Sequence, residues 1–137
     1  MAEYNILLAR ETETIELPLD VVRAGVEALL RDESKGTYFV AVSGNEVVGQ
    51  LLITHEWSDW RNGDIWWLQS VYVRSVFRRR GVFKALFDFV VQKATATPDV
   101  CGLRLYMENN NTRARQTYRS MGMLETHYQV FEQFFKR

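Results

Sequence analysis

The chain carries a single cysteine, Cys101, so it cannot close a disulfide within itself. With that one thiol and two histidines, His55 and His127, it lacks the thiol-rich ligand set of a structural zinc site. Prolines are scarce, only Pro18 and Pro98, and no repeat, low-complexity tract or Pro/Gly-rich linker interrupts the sequence. Neither sign of charge is in excess, with 17 Lys+Arg against 17 Asp+Glu. A protein that coats nucleic acid usually carries a basic surplus, so no nucleic-acid partner is expected. No apolar run approaches the ~20 residues of a membrane helix, so no membrane partner is expected either. The opening stretch MAEYNILLARETETIE has neither a basic n-region nor an apolar h-region, unlike a secretory signal. These absences lead us to expect a cytoplasmic protein.

What is present is a chain of 137 residues, 47% hydrophobic and 25% charged, the balance of an ordinary globular protein. The length suits one domain over residues 1–137, large enough to fold without disulfides or metals. Glu3–Ala9 reads as a first strand. Pro18 suits the start of a helix, and Val22, Val26, Leu29 and Leu30 recur at helical spacing up to Arg31. Thr37–Val42 and Val47–Thr54 are predicted strands around the turn Ser43–Glu46. His55–Gly63 reads as a polar, Trp-bearing loop closed by Asn62-Gly63. Ile65–Val73 is a long apolar strand, and Arg74–Arg80 a basic loop. A helix follows from Gly81 to Ala94, with Val82, Leu86, Phe89 and Val90 on one face, and Pro98 bars its continuation. Cys101–Met107 is a strand and Asn111–Met121 a short helix stopped by Gly122. Met123–Phe135 is extended again. The order β-α-β-β-β-α-β-α-β predicts an α/β (α+β) fold. Its sheet is mixed but mostly antiparallel, with helices on both faces and a central βαβ unit.

The most informative segment runs from Leu68 to Leu86: a strand, a basic loop with Arg78, Arg79 and Arg80, Gly81, and an amphipathic helix. N–H groups at a helix start attract anions, and a glycine lets backbone approach a phosphate closely. Hydrogen bonds to a charged group contribute roughly 1.5–3 kcal/mol each, so several can hold a diphosphate. The bland alternative is a solvated loop with an ordinary turn glycine. The segment contains no G-x-x-x-x-G-K-[ST] and too few glycines for a dinucleotide fingerprint.

Arg78-Arg79-Arg80-Gly81-Val82-Phe83 resembles the Arg/Gln-x-x-Gly-x-Gly/Ala motif of the GNAT superfamily of N-acetyltransferases. Downstream, Asn111-x-x-Ala114-x-x-x-Tyr118-x-x-x-Gly122-Met123 resembles a second segment of that family. The similarity extends over essentially the whole chain. Phe83 departs from the motif's Gly or Ala, and Met123 from its common Phe. The resemblance implies acetyl-coenzyme A as donor and a small-molecule or peptide amine as acceptor. It implies that backbone amides of Arg80, Gly81 and Phe83 face the pyrophosphate, with Arg78 and Arg79 adding charge and Lys84 in the same loop. It also implies that Val71 and Val73 offer strand backbone to the pantetheine arm, and that Asn111 touches the coenzyme. Asn111 also reads as a helix cap.

Tyr118 is the candidate general acid. A tyrosine of pKa about 10 can protonate a thiolate whose conjugate acid has a pKa of about 8.5. Its spacing from Ala114 and Met121 fits a core aromatic as well. Candidate bases are Glu108 first, then Glu56 and His55; a water chain is the alternative. Trp57, Trp60, Trp66 and Trp67, with Glu56, Asp59 and Asp64 nearby, form a candidate acceptor wall, because Trp faces attract cations. Trp66 and Trp67 are adjacent on a strand and must face opposite sides. The competing reading is a non-catalytic acyl-CoA binder or sensor on the same fold. The apolar segment Tyr128–Phe135 is a candidate for strand pairing in a homodimer.

Overall fold

The computed structural model describes residues 1–136. The chain forms two compact units, one from Met1 to Leu105 and one from Tyr106 onward.

The first unit is built on a four-stranded sheet in the order β1-β2-β3-β4. The strands are β1 (Thr37–Ser43), β2 (Glu46–Ser58), β3 (Gly63–Val73) and β4 (Val100–Arg104). The β1–β2 and β2–β3 pairs are antiparallel, and β3–β4 is parallel. The helix α3 (Val82–Ala96) makes the crossover between the parallel pair, as the βαβ expectation requires. Two helices, α1 (Ala2–Glu13) and α2 (Leu19–Arg31), precede the sheet. A Cβ added to Gly49 would meet Val82 and Leu86 of α3. The next residue, Gln50, instead bonds to Asn5 of α1. Neighbouring strand residues face opposite ways, so helices cover both faces. Leu51, Ile53, Val48 and Val90 are fully buried at the centre. Each such side chain contributes roughly 1.5–3 kcal/mol by leaving water.

Several expectations are corrected. Glu3–Ala9 is not a strand but part of α1. The short apolar run Ile6-Leu7-Leu8-Ala9 fits either periodicity, and the Ala, Leu, Arg and Glu around it are strong helix formers. Tyr4 and Glu11, two turns apart, then share the side that packs on β3. The loop expected over His55–Gly63 is confined to residues 59–62, because β2 runs on to Ser58 and β3 starts at Gly63. The hairpin turns tightly there, with Asn62 at φ 48 and the Ser58 hydroxyl accepting from the Arg61 N–H. The strand expected over Cys101–Met107 spans only Val100–Arg104.

The second unit holds α4 (Thr112–Ser120). Asn111 caps it, its side chain accepting from the Ala114 N–H at 3.1 Å. Gly122 at φ 92 ends it, with the Met123 N–H reaching back to the Tyr118 carbonyl. The extended strand expected over Met123–Phe135 is not formed; these residues carry neither helix nor strand. A strand needs a partner's N–H and C=O groups, and β-forming side chains alone do not supply them. Leu124 and Phe131 are left 90% and 92% exposed.

Gly36 is the tightest backbone position. Its φ is 151, and a Cβ there would collide with the Ile53 carbonyl oxygen of β2. Gly36→Ala is therefore expected to destabilise the fold by about 2–4 kcal/mol, read as a lower denaturation midpoint. An unchanged midpoint would show that this close approach is not needed.

Candidate functional site

β3 has two partners that part company along its length. Its pairing with β4 covers Asp64 to Trp67 and stops at the Trp67↔Arg104 pair. Beyond that point Leu68–Val73 pairs only with β2, and there the register slips between Gln50 and Leu52. Ser70 and Val71 then stand opposite the single residue Leu51, which is a β-bulge. Ser70 adopts φ 50, an uncommon conformation for a residue with a side chain. The fully buried Gln50 holds it there. Its Nε2 donates to the Ser70 carbonyl at 3.0 Å and to Asn5 Oδ1 at 2.7 Å. Gln50 Oε1 is buried with no hydrogen-bond partner among the described residues. Of the strand backbone expected to meet an acyl arm, Val71 lies in this bulge and Val73 two residues past it.

After β3 the chain makes one 3-10 turn, Ser75–Phe77, and enters the basic loop. Arg79 at φ 64 and Gly81 at φ 80 are both left-handed. Alternating conformations of this kind turn successive N–H groups toward one concavity. α3 then begins with Gly81 as its N-cap residue and no side-chain cap, so its first-turn N–H groups are not answered by a capping side chain. A Cβ on Gly81 would meet nothing within 4 Å, so the space before the helix is open. Such a helix start fits a phosphate.

The basic side chains of this loop differ in what they touch. Arg78 turns away from the helix start: its Nε donates to the Val73 carbonyl at 2.8 Å and its Nη2 to Glu11 at 2.7 Å. Its guanidinium also lies over the Tyr72 ring, 5.2 Å from the centroid. Arg80 and Arg74 both stack on Phe77. Lys84 pairs with Asp88, one turn along α3. Arg79 has no such side-chain partner among the described residues. Phe83, which departs from the motif, packs its ring against Phe87 one turn along α3, with centroids 6.1 Å apart.

On the side of the sheet that carries α1, Glu56 Oε1 accepts from Trp67 Nε1 at 2.7 Å and from Arg104 at 3.0 Å. This cluster sits where β3 and β4 separate. On the opposite side, His55 pairs through Nδ1 with Asp64 at 2.8 Å and meets Trp66 edge-on. Trp66 and Trp67 thus face opposite sides, as their adjacency requires. The proposed acceptor wall is divided, because Glu56 and Trp67 lie on one face and Trp66 on the other. Trp57, Asp59 and Trp60 are exposed around the hairpin turn.

In the second unit Glu108 directs its carboxylate into its own loop, accepting from the Asn110 N–H at 2.9 Å. Burial pushes the Tyr118 phenol above its ordinary pKa, so it remains protonated at neutral pH.

The family model for the GNAT acetyltransferases matches residues 4–123. The chain belongs to the GNAT acetyltransferase family. A possible acetyltransferase from Clostridium difficile 630 shares 44% identity with a TM-score of 0.92, over 99% of this chain and 90% of that one. A ribosomal-protein-alanine N-acetyltransferase from Brucella melitensis biovar Abortus 2308 shares 19% identity with a TM-score of 0.73, over 98% of this chain and 93% of that one. An AAC(6')-Iy structure in complex with a CoA-S-monomethyl-acetylneamine bisubstrate analogue shares 22% identity with a TM-score of 0.75, over 99% and 91%. These two show a common fold. No curated protein matched the sequence. Among the described residues of this GNAT chain no helix is long and apolar enough to cross a membrane, and no group of His, Cys, Asp and Glu is arranged to hold a metal.

Sequence reasoning singled out the loop and Gly81 and passed over Asn5, Glu11, Gln50, Ser70 and Tyr72, which the structure ties to them through side-chain contacts. One signal was available, since Gln50 is the lone polar side chain within Val47–Ile53. Gln50→Leu should strand the Ser70 carbonyl and Asn5 without their donor and cost about 1–3 kcal/mol of stability, measured by urea denaturation. A wild-type midpoint would show that the amide does not hold the bulge.

Proposed function

We propose that this GNAT protein transfers an acetyl group from acetyl-coenzyme A to a primary amine by direct attack. The observation that carries this reading is the open, uncapped start of α3 behind Arg79 and Gly81, one turn of chain beyond a bulged strand end. The family match spans residues of both compact units, which supports treating residues 1–137 as one acetyltransferase domain.

As donor substrate, acetyl-coenzyme A supplies an activated carbonyl and a thiolate leaving group. The N–H groups of Arg80, Gly81 and Phe83 would hold its diphosphate, with charge added by Arg79, whose side chain has no partner among the described residues. Arg78, Lys84 and Asn111 contribute through the loop and helix ends that they fix. At and beyond the bulge, Val71 and Val73 present backbone to the acyl arm, and an N–H there polarises the carbonyl, an effect worth about a few kcal/mol. Glu56 is the base that the geometry favours. Both donors bind its Oε1, which leaves Oε2 to take a proton from the acceptor ammonium. Glu108, bonded through Oε2 alone among the described residues, is the alternative base; His55 lies on the opposite face of the sheet, paired with Asp64. Trp67 holds Glu56 in place and its ring already lies under the Arg104 guanidinium, 6.0 Å from the centroid; Asp59 belongs to the hairpin turn and Trp66 to the opposite face of β3. Tyr118 donates its phenolic proton to the departing thiolate as the amide bond forms, and solvent restores it.

The test is thiol release from acetyl-coenzyme A across a panel of amines, including aminoglycosides and peptide N-termini. At least one amine should give sustained turnover; binding without turnover on any amine would favour an acyl-CoA sensor instead. Gly81→Glu should abolish coenzyme binding, since it places a carboxylate against the phosphates in a strained conformation. Retained wild-type affinity would refute the loop assignment. Tyr118→Phe should keep binding and slow kcat by roughly 10²–10⁴. The sign of its pKa shift sets the pH profile. Because burial raises the phenol, the acid stays competent through the ordinary tyrosine range. The alkaline limb of kcat should therefore fall above about pH 10 and vanish in Tyr118→Phe. A limb near pH 8 that survives this substitution would assign the acid elsewhere.

A further inference from the structure

We infer that Glu11, on the N-terminal helix, is a positioning residue for the coenzyme loop, and that Arg78 serves the site as a strut and not as a phosphate ligand. This rests on the acetyl-coenzyme A reading above and adds the means by which the loop is held.

Three contacts of Arg78 carry the argument. Its Nε is bonded to the last carbonyl of β3, Val73. Its Nη2 is bonded to Glu11 Oε2 across 67 residues of sequence. Its plane covers the Tyr72 ring. The other Glu11 oxygen, Oε1, accepts from the Tyr72 hydroxyl at 3.1 Å. One carboxylate thus ties together α1, the end of β3 and the first residue of the loop. Tyr72 is buried on β3 and its ring packs on Tyr4, so the anchor on the strand side is rigid. Burial, then the Glu11 carboxylate, keep the Tyr72 phenol above its ordinary pKa, so it stays a donor.

Immediately after Arg78 comes Arg79 in a left-handed conformation, followed by Gly81 in another. A residue with a side chain holds such a conformation only where its surroundings fix it. The bond from Arg78 to Val73 and Glu11 fixes the residue before that bend. It also occupies the guanidinium that would otherwise be the obvious phosphate ligand. Charge for the anion then falls to Arg79, and backbone N–H groups supply the rest.

The experiment measures acetyl-coenzyme A affinity by calorimetry and steady-state kinetics on the full chain. Glu11→Gln, nearly isosteric, should weaken binding roughly fivefold, with KM for acetyl-coenzyme A rising and kcat little changed. Glu11→Gln with Arg78→Gln should be no worse than Arg78→Gln alone, because the two act through one contact. Glu16→Gln is the control: it removes the Arg10–Glu16 pair at the end of the same helix and should leave affinity at the wild-type value. Equal losses in the Glu11 and Glu16 variants would mean that α1 was merely loosened, and would overturn the assignment. So would additive losses in the double variant, or wild-type affinity in Glu11→Gln. A wild-type protein that does not bind acetyl-coenzyme A removes the functional reading itself, and this inference with it.

Discussion

β3 must satisfy two neighbours whose geometries are incompatible along its whole length. Against β2 it runs antiparallel from Gly63 to Val73, and against β4 it runs parallel only as far as Trp67. β4 ends at Arg104, opposite Trp67, so among the described residues the far half of β3, with the bulge at Ser70 and Val71, has no ladder on that side. Unpaired backbone is costly when buried, so such a strand end is stable only if water or a ligand answers it. The structure keeps that position by placing a buried glutamine under the bulge and a helix across the strand behind it.

Charge distribution follows the same logic. The chain is neutral overall, so it has no general attraction for polyanions. Its basic residues act locally. Arg78, Arg80 and Lys84 each have a partner or an aromatic ring nearby, which sets the shape of the loop. Exposed pairs of this kind contribute little to stability, about 0–1 kcal/mol each, so their value lies in geometry. A backbone site with one remaining guanidinium suits a diphosphate: the N–H groups are already oriented and need no reordering when the anion arrives.

The point where β3 and β4 part also gathers a polar cluster. Trp67 and Glu56 come from neighbouring strands, and Arg104 from the last residue of β4, so the three mark the mouth of the split. The exposed Trp57 and Trp60 belong to the hairpin end, where β2 and β3 extend past the residues that the helices cover. The hairpin's length arises from continued cross-strand pairing, which keeps a polar and aromatic sequence extended although its composition resembles a loop.

The sequence by itself determined whatever depends on residues a few positions apart. Gly81 permits the left-handed start of α3, Asn111 caps α4, Gly122 ends it, and Ser43–Glu46 turns the first hairpin. Each is a local contact or a local dihedral preference, legible in a window of several residues. Tertiary structure alone decided the rest. Ile6–Ala9 became helical because that places Tyr4 and Glu11 against Tyr72 of β3 and Asn5 against Gln50 of β2. Ser70 took its unusual conformation because Gln50, twenty residues earlier, holds its carbonyl. Arg78 became a strut because Glu11 lies across from it. Met123–Phe135, though rich in strand formers, stayed unpaired. In each case the deciding partner is remote in the chain, and no pattern of neighbouring residues encodes a contact whose energy exists only once the chain has folded.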